Sequence, residues 1–198
     1  MLTIAGIGPG NPKHLTLEVL DAIKEATYIL AFGRVAKTLS PIRGDIVEVN
    51  KVDEILDYLK DKEDVLLLAS GDPNFFGVVD FIKRKGVNIS KVLPGLSSFQ
   101  YLMAKLEKPW QEAKFISLHG RDGDLEWVKD YKLSIVLIDK DNNPAFISQE
   151  LHKLNIKGEM HIGFDLSYDS EKIIKINIGE EVENYTSLGV VIIENEMD

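Results

Sequence analysis

Apolar, β-branched runs alternate along this chain with stretches of helical spacing. The runs fall at residues 2–7, 27–31, 45–49, 65–69 and 92–93. Between the first two, Thr16 stands ahead of Leu17, Leu20, Ile23 and Ala26, a capping hydroxyl before one apolar helix face. Residues 52–59 put Val52, Ile55, Leu56 and Leu59 on one side, and residues 76–85 and 97–106 read the same way. Such alternation predicts a mainly parallel sheet with helices on its faces.

The pattern breaks at Glu107-Lys108-Pro109-Trp110-Gln111 and then restarts. A strand at 114–118, a helix at 125–131, a strand at 134–138 and a helix at 145–154 follow. The last third reads as strands at 160–164, 172–178 and 188–194, with Ile173, Ile174, Ile176 and Ile178 strongly β-prone. The expectation is an α/β fold of two domains. Residues 1–110 would form an N-terminal domain with a mainly parallel sheet, and 111–198 a C-terminal domain with a mixed sheet.

Composition removes several classes. A chain of 198 residues can bury a real core, and its net charge of −9 argues against a nucleic-acid binder. Without cysteine there is no disulfide, thiolate metal site or thiol nucleophile. No apolar run reaches membrane-spanning length and no signal-peptide pattern opens the chain, so a soluble cytoplasmic protein is expected.

The candidate chemistry sits where strands end. Gly6-Ile7-Gly8-Pro9-Gly10 follows the first run, Ser70-Gly71-Asp72-Pro73-Asn74-Phe75-Phe76-Gly77 the fourth, and Pro94-Gly95-Leu96-Ser97-Ser98 the fifth. Glycines there let backbone approach a ligand, Asp72 can accept hydrogen bonds or cap a helix, and Ser97 and Ser98 open a helix. Ser117-Leu118-His119-Gly120-Arg121-Asp122 ends the first strand of the second half, where His and Arg suit anionic groups. Each turn alone is equally a structural turn or a plain cap; together they point to one cleft for a polar small molecule. A dinucleotide site is disfavoured, because Phe32-Gly33-Arg34 stands where an acidic ribose-binding residue would be. His14, His152 and His161 read as solvated, and no His–carboxylate spacing suggests a metal.

In their order, Gly6-x-Gly8-Pro9-Gly10, Ser70-Gly71-Asp72-Pro73 and Pro94-Gly95-x-Ser97-Ser98 resemble the tetrapyrrole methylase family. The Gly71–Gly77 box with its double Phe, Lys108-Pro109-Trp110, the Ser117–Asp122 box and Val191-Ile192-Ile193-Glu194-Asn195 are similar to the branch that methylates C5 of precorrin-7 or cobalt-precorrin-7. The resemblance implies two α/β domains with the active site in the cleft between them and S-adenosylmethionine as co-substrate. Pro9, Gly71, Asp72, Phe75, Ser97 and Ser98 would line the cofactor site, with Ile138 as an apolar contact. Arg34, Lys37, Gly120 and Arg121 would meet the anionic tetrapyrrole, and His119 is a candidate proton acceptor. Asp165 stands where the family usually has Asn. A homodimer is implied, as is a stand-alone enzyme coupled to a separate C15-methyltransferase/decarboxylase. The rivals are another tetrapyrrole methylase, a diphthine synthase-like protein methylase of the same fold, and a non-catalytic ligand-binding protein.

Overall fold

The computed structural model describes residues 1–120 and 123–197 and divides the chain into two compact units, Met1–Ser97 and Ser98–Asp198. In the first unit the central strands are the longest apolar runs. β1 (Leu2–Gly6) and β4 (Val65–Ala69) pair in parallel, Leu2 opposite Val65 through Gly6 opposite Ala69. All five residues of β4 are buried, as a strand covered on both faces requires. β2 (Ile29–Phe32), β3 (Val47–Val49) and β5 (Lys91–Leu93) complete a parallel sheet of order β3-β2-β4-β1-β5.

Helices cover both faces. α1 (Leu17–Glu25) begins where Thr16 accepts a hydrogen bond from the Val19 N–H at 3.2 Å. With α2 (Gly33–Leu39) it packs on the face of Ala5, Ala31 and Leu68; α3 (Val52–Asp61) and α4 (Val78–Arg84) cover the face of Ile4, Leu30 and Leu67. Each fully buried Leu or Ile side chain among them contributes roughly 1.5–3 kcal/mol.

One local expectation is corrected. In α1, Ile23 and Ala26 face inward as expected, but Leu17 is 79% exposed, and Val19 and Ala22 complete the stripe instead. The four inward residues, spaced i, i+3, i+4 and i+7, make the inward stripe. Arg34 and Lys37 belong to α2, which leaves β2 directly because Val35, Ala36 and Leu39 bury one side of it.

In the second unit, β6 (Lys114–Ser117) and β7 (Leu133–Leu137) are parallel, whereas β8 (Gly158–Phe164), β9 (Lys172–Asn177) and β10 (Gly189–Asn195) run antiparallel, giving the mixed order β6-β7-β10-β8-β9. One face packs on α6 (Pro144–Lys153) through Ile147 and Leu151 and on the segment Leu125–Asp130. That segment is a 3-10 helix rather than an α-helix. Its inward residues, Leu125 and Val128, are three apart, which the tighter coil eclipses. α5 (Ser98–Lys105) packs against β10, and its Phe99 meets Trp110 and Phe115 edge-on at 5.1 and 5.0 Å. No helix among the described residues is long and apolar enough to cross a membrane.

Candidate active-site loops

The first unit has a topological switch point. The chain leaves β1 through α1 on one face and leaves β4 through α4 on the other, and β1 and β4 are neighbours. Ligands of open parallel sheets bind at the carboxyl ends of such a pair, where the diverging connections leave a crevice. The turns that begin at Gly6 and Ser70 start there, and the turn at Pro94 follows β5, the other neighbour of β1. A cavity of about 270 Å³ lined by Met1, Thr3, Asp64 and Ser90 lies at the opposite, amino-terminal edge, away from these loops.

The three turns touch backbone to backbone. A Cβ on Gly6 would collide with the Gly71 carbonyl oxygen and stand 2.7 Å from the Gly95 nitrogen; a Cβ on Gly95 would meet that same oxygen. Only glycine permits this approach. Gly71 differs. It has φ +66°, a conformation that favours glycine, while a Cβ there would meet only the Ser97 Cα, at an ordinary contact distance of 3.9 Å.

Asp72 ties the turns together. Its Oδ1 accepts from the Asn74 N–H at 2.8 Å, a side-chain turn, and its Oδ2 from the Gly95 N–H at 3.4 Å. It does not cap the following helix, whose N-cap is Gly77. Pro9 and Ser97 are buried, and Phe75 is half-buried with its ring edge-on to Phe76 at 4.9 Å.

In the second unit, the loop after β6 is braced by the loop after β7. His119 Nδ1 lies 3.0 Å from the Ile138 carbonyl oxygen. Because a carbonyl only accepts, Nδ1 carries the proton. Asp139 Oδ2 accepts from the Gly120 N–H at 3.1 Å, while its Oδ1 accepts from the N–H groups of Asp141 and Asn142 at 3.0 and 2.7 Å. The Asn142 amide donates to the Leu118 carbonyl at 3.2 Å. Backbone donors from Asn142 and Gly120 hold the Asp139 carboxyl below the usual aspartate range. The Ile138 side chain is 2% exposed and belongs to the core of this unit. Ser98 is the first residue of α5. Arg34 and Lys37 are exposed on α2. Arg121 lies outside the described residues.

His161 is not a solvated loop histidine. It is 7% exposed in β8, on the face opposite Met160 and Ile162, and its Nε2 stands 2.7 Å from Glu194 Oε1. Glu159 and Glu194 sit directly across from each other on β8 and β10, and with His161 they offer three ligand atoms within 4.8 Å of one another. Lys108 holds Glu194 at 2.7 Å and Lys175 holds Glu159 at 2.6 Å, so the two carboxylates are already balanced by two ammonium groups. Strand alternation places Glu159 and His161 on one face, but the pairing with Glu194 depends on register.

Comparison with known proteins identifies the family. Residues 1–181 match the family model described as Tetrapyrrole (Corrin/Porphyrin) Methylases, and the chain belongs to that family of methyltransferases. It is 26% identical over 204 residues to the cobalt-precorrin-7 C(5)-methyltransferase of Salmonella typhimurium, covering 98% of this chain and 99% of that one. It is 25% identical over 187 residues to a probable cobalt-precorrin-7 C(5)-methyltransferase of Methanocaldococcus jannaschii, covering 87% of each. Among solved structures, the uroporphyrin-III C-methyl transferase of Thermus thermophilus complexed with S-adenyl homocysteine superposes with a TM-score of 0.78 at 25% identity, over 98% of this chain and 96% of that one.

Proposed function

We propose that the protein transfers a methyl group from S-adenosylmethionine to C5 of precorrin-7 or of its cobalt form. The choice of carbon is carried by the similarity to the Salmonella typhimurium enzyme along almost the whole of both chains. The donor is supported by the Thermus thermophilus relative, whose complex holds the demethylated form of that compound. The residues of the first unit suit it. The side-chain-free backbone at Gly71, the Asp72 carboxylate and the buried Ser97 combine close backbone approach with acceptors for an ammonium or ribose hydroxyl. Pro9, Gly71, Asp72, Phe75 and Ser97 would hold it.

S-adenosylmethionine supplies a methyl group made electrophilic by its sulfonium. The chain aligns and shields. Fixed backbone dipoles of the three turns orient the donor without reorganising during transfer. An electron-rich macrocycle attacks without help from a strong base, and His119 Nε2 takes the proton that the acceptor carbon sheds. Arg121 meets a substrate carboxylate, with Arg34 and Lys37 as further cations on a net-negative chain. Homodimeric assembly, a cytoplasmic location and coupling to a separate C15-methylating, decarboxylating enzyme complete the reading.

The test incubates the purified protein with S-adenosylmethionine and precorrin-7 or cobalt-precorrin-7, then weighs the product. One added methyl group, lost when uroporphyrinogen III is offered instead, is the expected result. Methylation of uroporphyrinogen III or of elongation factor alone would assign the chain to another activity of the same fold. Arg121→Ala should raise the KM for the macrocycle and leave the affinity for S-adenosylmethionine near its original value.

A further inference from the structure

We propose that Asp139 is a positioning residue for methyl transfer, fixing the turn that presents His119; the proposal rests on the function proposed above. The carboxylate has two separate jobs. Oδ1 builds its own turn by accepting from the Asp141 and Asn142 N–H groups, and Oδ2 reaches across to the Gly120 N–H, the residue after His119; the Asn142 side-chain NH2 straddles both, at 3.2 Å from Oδ1 and 3.4 Å from Oδ2. Asn142 closes the brace from the other side by donating to Leu118, the residue before His119. The histidine is thus held at both flanking residues by one short segment, 139–142.

The ring is held by the same segment's beginning. Its Nδ1–H points to the Ile138 carbonyl, so the other nitrogen, Nε2, carries the lone pair in the neutral ring. Nε2 has no hydrogen-bond partner among the described residues, and His119 is exposed. The strand order makes this brace available, because β6 and β7 are parallel neighbours and their carboxyl ends lie side by side. During transfer the new carbon–carbon bond forms as the carbon–sulfur bond breaks. The acceptor carbon's proton then moves to Nε2, giving an imidazolium whose Nδ1–H stays on Ile138.

Asp139→Asn separates the two jobs. Its remaining carbonyl oxygen can keep the Asp141 and Asn142 N–H bonds, whereas its NH2 group cannot accept from Gly120 or from the Asn142 side-chain amide, the longer of that amide's two contacts. The expected result is a kcat lower by about tenfold with the KM for S-adenosylmethionine and the thermal midpoint little changed. Added to His119→Ala, Asp139→Asn should cause no further loss, because a residue acting through the histidine has nothing left to position. Independent losses in the double variant, or a loss confined to S-adenosylmethionine affinity, would overturn the proposal. Nitrogen-15 NMR of the imidazoles tests it without substrate: wild-type His119 should be protonated at Nδ1 in the neutral form, with that preference weakened in Asp139→Asn. An Nε2-protonated wild-type ring sinks the proposal even if C5 methylation is confirmed. The Nδ1 form together with no turnover of precorrin-7 would overturn the assigned reaction and leave the brace standing.

Discussion

Gly8 and Gly71 exchange two backbone hydrogen bonds, Gly71 N–H to the Gly8 oxygen at 2.8 Å and Gly8 N–H to the Gly71 oxygen at 3.4 Å. The strands that lead to them are parallel, yet this bridge is antiparallel. One of the two segments therefore reverses direction relative to the other on leaving the sheet, and the two lock together. The candidate donor site is built on turns whose backbones are hydrogen-bonded and packed against one another.

That cluster leaves no room for a side chain at Gly95. Gly95→Ala should cost about 1–3 kcal/mol, the range for overpacking a filled site, and weaken S-adenosylmethionine binding. Gly44→Ala is the control, since a Cβ there meets nothing within 4 Å. Urea denaturation of both variants decides it, and equal stability of the two would contradict the close approach.

Asp72 links two turns, so Asp72→Ala strands the Asn74 and Gly95 N–H groups and should weaken S-adenosylmethionine binding by about tenfold. Asp72→Asn keeps one acceptor oxygen and should lose less. Calorimetric titration distinguishes them; wild-type affinity in the alanine variant would remove Asp72 from the site.

Asp165 has φ +44°, a left-handed backbone that Asn and Asp tolerate better than other side chains. Asp165→Asn should therefore be nearly neutral even though Ser170 Oγ donates to the carboxylate at 2.9 Å. Asp165→Val should cost about 1–3 kcal/mol through backbone strain. A large loss in the asparagine variant would mean that the charge, not the conformation, selects this residue.

The Glu194 network gives a pH dependence with a definite sign. Burial pushes its carboxyl up, but hydrogen bonds from Lys108 and His161 outweigh that and leave it below the ordinary glutamate value. A depressed folded pKa adds stability above the unfolded value, about 4.3, and that stability disappears as the pH falls through the lower folded value. Lys108→Met leaves Glu194 facing Glu159 with one cation fewer, so the acid limb should move to higher pH, with a loss of about 1 kcal/mol at neutrality for this partly exposed pair. Urea midpoints from pH 3 to 7 read the shift. A Lys108→Met curve parallel to wild type would refute the coupling.

Much of this was legible before the fold. The all-apolar 65–69 run could only be a buried strand, Thr16 could be read as a cap, and Gly6, Gly71 and Gly95 marked strand ends. Helix α2 was missed because Phe32-Gly33-Arg34 looks like a turn, and its helical face shows only when Val35, Ala36 and Leu39 are seen against the sheet. Period alone placed Leu17 inside, because it gives a stripe's spacing and not its direction.

Local spacing, turn chemistry and motif order, all properties of neighbours along the chain, determined the α/β class, the strand-end position of the candidate residues and the family resemblance. Register and strand order decided the rest, because they bring together residues far apart in sequence. They seat the Gly71 oxygen against Gly6 and Gly95, set Glu194 opposite Glu159 beside His161, and lay Asp139 against Gly120. A shift of one residue in any of those pairings would turn the side chains to the other face and dissolve the contact.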